Sequence, residues 1–262
     1  MDFVLLVLMA LWQQGVGALR LLEIKVPTYT VKGQSTILQC SYDLQSDKLY
    51  SVSWYKDNES FYMYKPKSET KKNSFQVDGV KVDLVRSDHQ KVHLKHVELH
   101  AAGKYKCEVS VDRPDFETSQ KEEYMEVIVL PQDGPIITGQ ENIYASGDNL
   151  SLNCTSGKTH PKSLLRWFIN GIQVNPDAEI IMSQQHGLYV VISSLRIEVG
   201  PHHINSGQMK IRCESILQTS QATSPIIDSR KAEILVHGHA TLYTPSLLLL
   251  ISMLLLRHQL VH

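Results

Sequence analysis

The chain has 262 residues, enough for two domains of ordinary size. Its 26 Lys and Arg balance 27 Asp and Glu to a net charge of −1, and no arginine-rich or RNP-like stretch is present. Composition therefore gives no electrostatic reason to expect nucleic acid as a partner, and the lysines of KPKSETKK (Lys65, Lys67, Lys71, Lys72) read as a solvated loop.

The N-terminus carries FVLLVLMALW (Phe3 to Trp12), then polar Gln13 and Gln14, then small Gly17 and Ala18. A short apolar block followed by small residues is the pattern of a secretory signal cleaved after Ala18, although Asp2 stands where a basic residue is usual. Ten residues of helix cover about 15 Å of a hydrocarbon core roughly 30 Å thick, so this block does not span a membrane. Residues 1–18 are thus expected to be a leader, and the rest of the chain is expected in an oxidising, extracellular compartment. The sequons at Asn58 (NES), Asn149 (NLS) and Asn153 (NCT) agree with that and are candidate glycosylation sites.

Four cysteines, Cys40, Cys107, Cys154 and Cys213, allow three pairings. None forms a CxxC, so a metal site is not expected; the order Cys, Trp, Cys occurs twice and favours Cys40 with Cys107 and Cys154 with Cys213.

From Leu19 to Leu130 the chain is a succession of short alternating segments rich in Val, Ile, Tyr and Thr. STILQC puts Thr36, Leu38 and Cys40 on one face. YSVSWY sends Val52 and Trp54 inward and Ser51, Ser53 and Tyr55 outward. KVHLKHVEL supplies inward Val92 and Leu94. In GKYKCEVS, Tyr105 and Cys107 share one face while Lys104, Lys106 and Glu108 share the other. A cysteine on one strand, a tryptophan on the next and a late Tyr-x-Cys indicate an immunoglobulin sandwich, with Tyr105 as its tyrosine corner.

After LPQDGP (Leu130 to Pro135) the pattern restarts. DNLSLNC directs Leu150, Leu152 and Cys154 inward, LLRWFING carries Trp167, and MKIRC ends on Cys213 with Ile211 where a corner tyrosine would stand. The shorter cysteine spacing predicts fewer strands than in the first unit. The expected fold is all-β: two tandem immunoglobulin-like sandwiches over 19–131 and 132–236, the first variable-type and the second a shorter, constant-like type. Asn149 and Asn153 share an outward face, and glycans there would make it a poor binding surface.

The runs LYSVSWYKDNESFYMYKP, GKYKCEVSVDRPDFET, and GDNLSLNCTS with LLRWFINGIQV resemble the beaten path family of insect neuronal cell-surface proteins over roughly Ile24 to Cys213. The resemblance implies paired immunoglobulin domains, secretion or membrane anchorage, and binding to immunoglobulin receptors of the sidestep family in axon guidance, fasciculation or synaptic partner choice. One departure is Ala101, where many variable-type domains carry an Asp that pairs with an Arg such as Arg86. Asp88 is expected to serve locally instead.

Two function classes remain. Twelve histidines, including His96-x3-His100, His202-His203 and His237-x-His239, raise catalysis or metal binding. Residues four apart on a strand lie about 13 Å apart, however, and no GxSxG, HExxH or phosphate-cradling loop is present, so neither enzyme activity nor a cofactor is expected. A binding ectodomain uses outward residues of the sheet that holds Trp54 and Cys107. The candidates are Tyr55, Tyr62 and Tyr64, with Lys106 and Glu108 alongside and Asp112, Arg113 and Asp115 in a loop at the end of that sheet. The register of FYMY is not fixed by the sequence. Homophilic adhesion or a soluble decoy would present the same features.

The tail, 237–262, contains SLLLLISMLLL (Ser246 to Leu256), too short to span a bilayer and preceded by small residues at Gly238 and Ala240. It is expected to be a glycolipid-anchor signal with Gly238, His239 and Ala240 as the attachment region; an untethered secreted product is the alternative.

Overall fold

A computed structural model describes residues 19–112, 116–183, 185–220 and 225–239. The chain divides into two compact units that meet between Leu130 and Pro131. The leader expected over 1–18 lies outside the described residues.

Among the described residues the first unit has nine strands: β1 (Arg20–Lys25), β2 (Tyr29–Val31), β3 (Thr36–Asp43), β4 (Leu49–Lys56), β5 (Glu59–Tyr64), β6 (Lys72–Ser74), β7 (Lys91–Leu94), β8 (Gly103–Val111) and β9 (Thr118–Ile128). They form two sheets, β1-β3-β7 and β2-β9-β8-β4-β5-β6. Alternation sends Leu38, Cys40, Val52, Trp54, Val92, Leu94, Tyr105 and Cys107 into a shared core in which each is 1% exposed or less. Cys40 bridges Cys107, and Trp54 pairs in register with Cys107. Tyr105 donates its hydroxyl to the Ala101 carbonyl at 2.7 Å, which ties the strand to the turn before it.

Among its described residues the second unit also has nine strands: β10 (Ile136–Thr138), β11 (Ile143–Ala145), β12 (Asn149–Thr155), β13 (Leu164–Ile169), β14 (Ile172–Val174), β15 (Ala178–Ser183), β16 (Tyr189–Glu198), β17 (Gln208–Gln218) and β18 (Ile226–His239). Its sheets are β10-β12-β16-β15 and β11-β18-β17-β13-β14. Cys154 bridges Cys213, and Trp167, in register with Cys213, is fully buried with Leu150, Leu152 and Ile211.

The expectation of fewer strands is corrected. Among the described residues the second unit has no strand beyond β14 in its larger sheet, where the first adds β6 beyond β5, but it gains β15 on the smaller one. A second correction concerns the tail. β18 runs to His239, past the boundary expected after residue 236, and Gly238 sits inside the sheet opposite Tyr144, with its N–H donating to the Gly207 carbonyl at 2.9 Å. A Cβ at Gly238 would fall 2.6 Å from Ile204, so this glycine serves close packing. Gly238 and His239 are therefore strand residues and not a loose spacer, while Ala240 and the apolar run after it lie outside the described residues. Among the described residues no helix is long and apolar enough to cross a membrane.

Candidate binding face

β4 turns into β5 through Asp57 and Asn58, both left-handed (φ 49° and 72°), a two-residue hairpin whose twist suits the flanking strands. This turn is clamped to β8. The Asp57 N–H donates to the Lys104 carbonyl, and the Lys104 N–H donates to Asp57 Oδ1, both at 2.9 Å. Gly103 makes room, because a Cβ there would lie 2.5 Å from the Asp57 carboxylate. Burial alone would raise the Asp57 pKa, but the bonds from Lys56 and from the Lys104 backbone outweigh it and hold it below the usual aspartate value.

With the two strands fixed in this register, Tyr55 pairs with Lys106 and Ser53 pairs with Glu108. The outward side chains meet. Lys106 Nζ lies 4.7 Å from the centre of the Tyr55 ring, and the Tyr55 hydroxyl donates to Glu108 Oε1 at 3.0 Å. Burial, then the bond to Glu108, raises the pKa of that hydroxyl, which keeps it a donor at neutral pH. The three residues thus form one cluster: an aromatic plate, a cation above it and an anion at its rim. It can offer a partner aromatic area with mixed charge.

The face extends beyond the residues expected from sequence. Lys104 pairs in register with Tyr124 and its Nζ reaches Glu122 at 2.9 Å, which raises the Lys104 pKa; Tyr124 is half exposed. Met63 stands opposite Ser53. Lys104 was legible from parity with Lys106, whereas Glu122, Tyr124 and Met63 needed the cross-strand register.

Tyr62 and Tyr64 do not join this face. Trp54 pairs with Tyr62, but Tyr55 pairs with Ser60, so Phe61 is an extra residue bulged out of the ladder. The bulge lets Phe61 and Tyr62 both turn inward, each fully buried, and the Tyr62 hydroxyl donates to the Asp88 carbonyl at 3.0 Å. Tyr64 pairs with buried Val52 and is half-buried at the end of the sandwich, where its ring is 5.7 Å from that of His89. It lines a shallow groove of about 650 Å³ with Tyr42, Leu44 and Leu49.

At the same end of the sheet, beside Leu49, Asp112 forms an ion pair with Lys67 and its N–H donates to the Lys48 carbonyl at 2.8 Å. Arg113 and Asp115 lie outside the described residues. Asp88 does not replace the missing partner of Arg86: its carboxylate accepts the N–H groups of Gln90 and Lys91, and Arg86 lies 4.0 Å from Asp83. Asn58, Asn149 and Asn153 are all exposed, and Asn153 accepts a bond from Ser194 Oγ at 2.7 Å. Of the histidines, His100 pairs with Asp78 at 3.3 Å, and His203 accepts the Gly200 N–H at 3.0 Å.

Residues 25–130 match the immunoglobulin V-set domain. Human cell adhesion molecule 1 is 27% identical over 114 residues, 43% of this chain and 24% of that protein. Cell adhesion molecule 2 of Xenopus tropicalis is 23% identical over 202 residues, 76% of this chain and 43% of that protein. The chain thus spans less than half the length of these relatives. Among solved structures, Rst D1-D2 is similar at a TM-score of 0.53 and 16% identity over 86% of this chain and 100% of that one. Murine CEACAM1b is similar at 0.54 and 13% over 85% and 99%. At these identities the structural likeness is one of fold. Together with the sheets, the bridges and the corner tyrosine, these findings show a chain of two immunoglobulin-type sandwiches, the first of the V-set kind.

Proposed function

We propose that the chain is an extracellular recognition protein whose first sandwich binds a cell-surface immunoglobulin receptor through the outer face of β4, β8 and β9. The observation that carries this reading is the cluster of Tyr55 beneath Lys106 and hydrogen-bonded to Glu108, on a face that also presents Lys104, Glu122 and Tyr124. A tyrosine already held by its neighbours loses little side-chain freedom on binding, which suits it to anchor an interface. The resemblance of LYSVSWYK and CEVSVDRPDF to the beaten path family supports a sidestep-like receptor and a role in axon guidance, defasciculation or synaptic partner choice. The location is the cell surface through a glycolipid anchor directed by the tail, and release by phosphatidylinositol-specific phospholipase tests it; retention on the membrane, or full secretion without enzyme, counts against the anchor.

A second reading, homophilic adhesion, is favoured by relatives that are named cell adhesion molecules. Mixing cells that express the chain alone with cells that express candidate receptors separates the two. Tyr55→Ala is expected to weaken receptor binding at least about tenfold with the fold intact. Lys106→Ala and Glu108→Ala are expected to act less, and in a salt-dependent way. Asn149→Gln, in the second sandwich, is the control. A folded Tyr55→Ala protein that binds like the parent overturns the assignment of the face.

A further inference from the structure

Each sheet of the two sandwiches ends in two edge strands, each with a neighbouring strand of its sheet on one side. Folded proteins blunt such edges by shortness, charge, proline or a bulge. Here β2, β6, β10, β11 and β14 are three residues long, and β7 is four long and begins with Lys91. β1 has six residues, but it is broken by a bulge between Leu21 and Glu23 and carries charge at both ends.

β15 has the fewest of these protections: it is six residues long, has no proline or bulge, and carries one charge, Glu179. Its six residues, AEIIMS, contain no Lys, Arg or Pro, and it pairs with β16 without a register shift from Ala178 opposite Ser194 to Ser183 opposite Tyr189. The exposures of Ile180, Ile181 and Met182 are 56%, 43% and 41%. Because Ser193, opposite Glu179, lies on the buried side, Ile180 and Met182 point outward and Ile181 points along the inner side at the sheet's rim.

We propose that β15 is where two copies of this chain pair, antiparallel about a two-fold axis through Ile181, so that two four-stranded sheets become one of eight strands. Antiparallel pairing sets residues of the same side against each other, so the axis must pass through a residue and not between two. Centred on Ile181, the register places Ile181 against its own copy, Ile180 against Met182, and Glu179 against Ser183. Apolar meets apolar on both sides of the ribbon, and the only charge in the strand faces a hydroxyl. Centred on Ile180 it would set Glu179 against Ile181 and lose that match. Such self-complementarity is what a two-fold contact requires. Neither sequon of the second sandwich lies on the edge itself, since Asn149 and Asn153 are on β12, two strands or about 10 Å away. This pairing is independent of the face proposed above, because β15 belongs to the second sandwich.

The test uses the full chain, made in animal cells and purified in mild detergent, followed by sedimentation velocity from about 1 to 100 µM. A monomer–dimer equilibrium is expected. Ile181→Lys should weaken it at least about tenfold, and Tyr55→Ala should leave it unchanged. Under mild oxidation Ile181→Cys should give a disulfide-linked dimer, because facing Cβ atoms lie about 4.5–5.5 Å apart, while Ile37→Cys, an exposed position on the first sandwich, should not. Fluorescence of Trp54 for the first sandwich and Trp167 for the second reports whether each variant is folded, and the cysteine variant reads the register even if the lysine variant fails to fold. A monomer throughout the range, a dimer insensitive to Ile181→Lys, a dimer lost with Tyr55→Ala, or equal cross-linking at residues 37 and 181 overturns the proposal.

Discussion

The two sandwiches solve the same problem, fixing β-strands around a disulfide and a tryptophan, with different polar ties. In the first, the turn Asp57-Asn58 is clamped to Lys104, and the Tyr105 hydroxyl ties its strand to Ala101. In the second, Asn170 occupies the place of Asp57: its N–H donates to the Lys210 carbonyl at 2.8 Å and its Oδ1 accepts the Lys210 N–H at 3.0 Å. The amide has a further donor that a carboxylate lacks. Its Nδ2 reaches the His203 carbonyl at 2.8 Å, in the turn before β17. One asparagine thus supplies both the hairpin clamp and a tie to that turn, in the sandwich where Ile211 replaces the corner tyrosine. The tryptophans differ in the same direction: Trp167 Nε1 donates to Ser193 Oγ at 3.1 Å, while Trp54 Nε1 is buried without an acceptor among the described residues.

The strongest way to break this comparison is to remove the ties. Asn170→Ala strands the Lys210 N–H and the His203 carbonyl and leaves alanine at φ 49°, so it should cost the second sandwich about 2–3 kcal/mol. Tyr105→Phe removes one bond from the first and should cost about 1–1.5 kcal/mol. Urea midpoints read from the tryptophan of each sandwich check both. Equal, small losses would show that Asn170 does not replace the corner.

A sharper and smaller contrast comes from the tryptophans. Trp167→Phe loses packing and leaves the fully buried Ser193 hydroxyl without its donor, whereas Trp54→Phe loses packing and removes an unsatisfied N–H. The first should destabilise by about 1 kcal/mol more than the second. Urea midpoints followed by far-UV circular dichroism, which does not depend on the replaced tryptophan, decide it.

The smallest effect concerns acid. Asp57 has its pKa lowered by folding, so the stability it contributes is complete above the ordinary aspartate value and is lost as pH falls through the lowered one. Asp57→Asn, which copies the second sandwich, should remove that part of the acid dependence and lower stability near neutral pH by the same small amount. Melting temperatures between pH 2 and 7, compared for parent and variant, measure it. An unchanged acid slope would mean that other carboxylates govern the first sandwich at low pH.

How much of the molecule was legible follows from what is local. Strand alternation is fixed by backbone geometry alone, so burial of Trp54, Cys107 and Tyr105, and with it the meeting of Tyr55, Lys106 and Glu108, could be read from the chain before any pairing was known. The repeated Cys-Trp-Cys order likewise indicated both bridges, because each cysteine had one partner at similar spacing across its own core. Tyr62 and Tyr64 could not be placed in that way. Their direction depends on the bulge at Phe61, which arises only when β5 docks on β4. The role of Asn170 was hidden for a related reason, since its partners at His203 and Lys210 are more than thirty residues away in sequence. Gly238, small enough to read as part of an attachment site, is a packing residue against Ile204 once β18 is in its sheet. By itself the sequence determined the sandwiches, their cores and the parity of each strand, because these follow from nearest-neighbour geometry and apolar burial. The tertiary structure decided the bulge, the clamps and the edge position of β15, because each is a relation between strands that only long-range pairing creates.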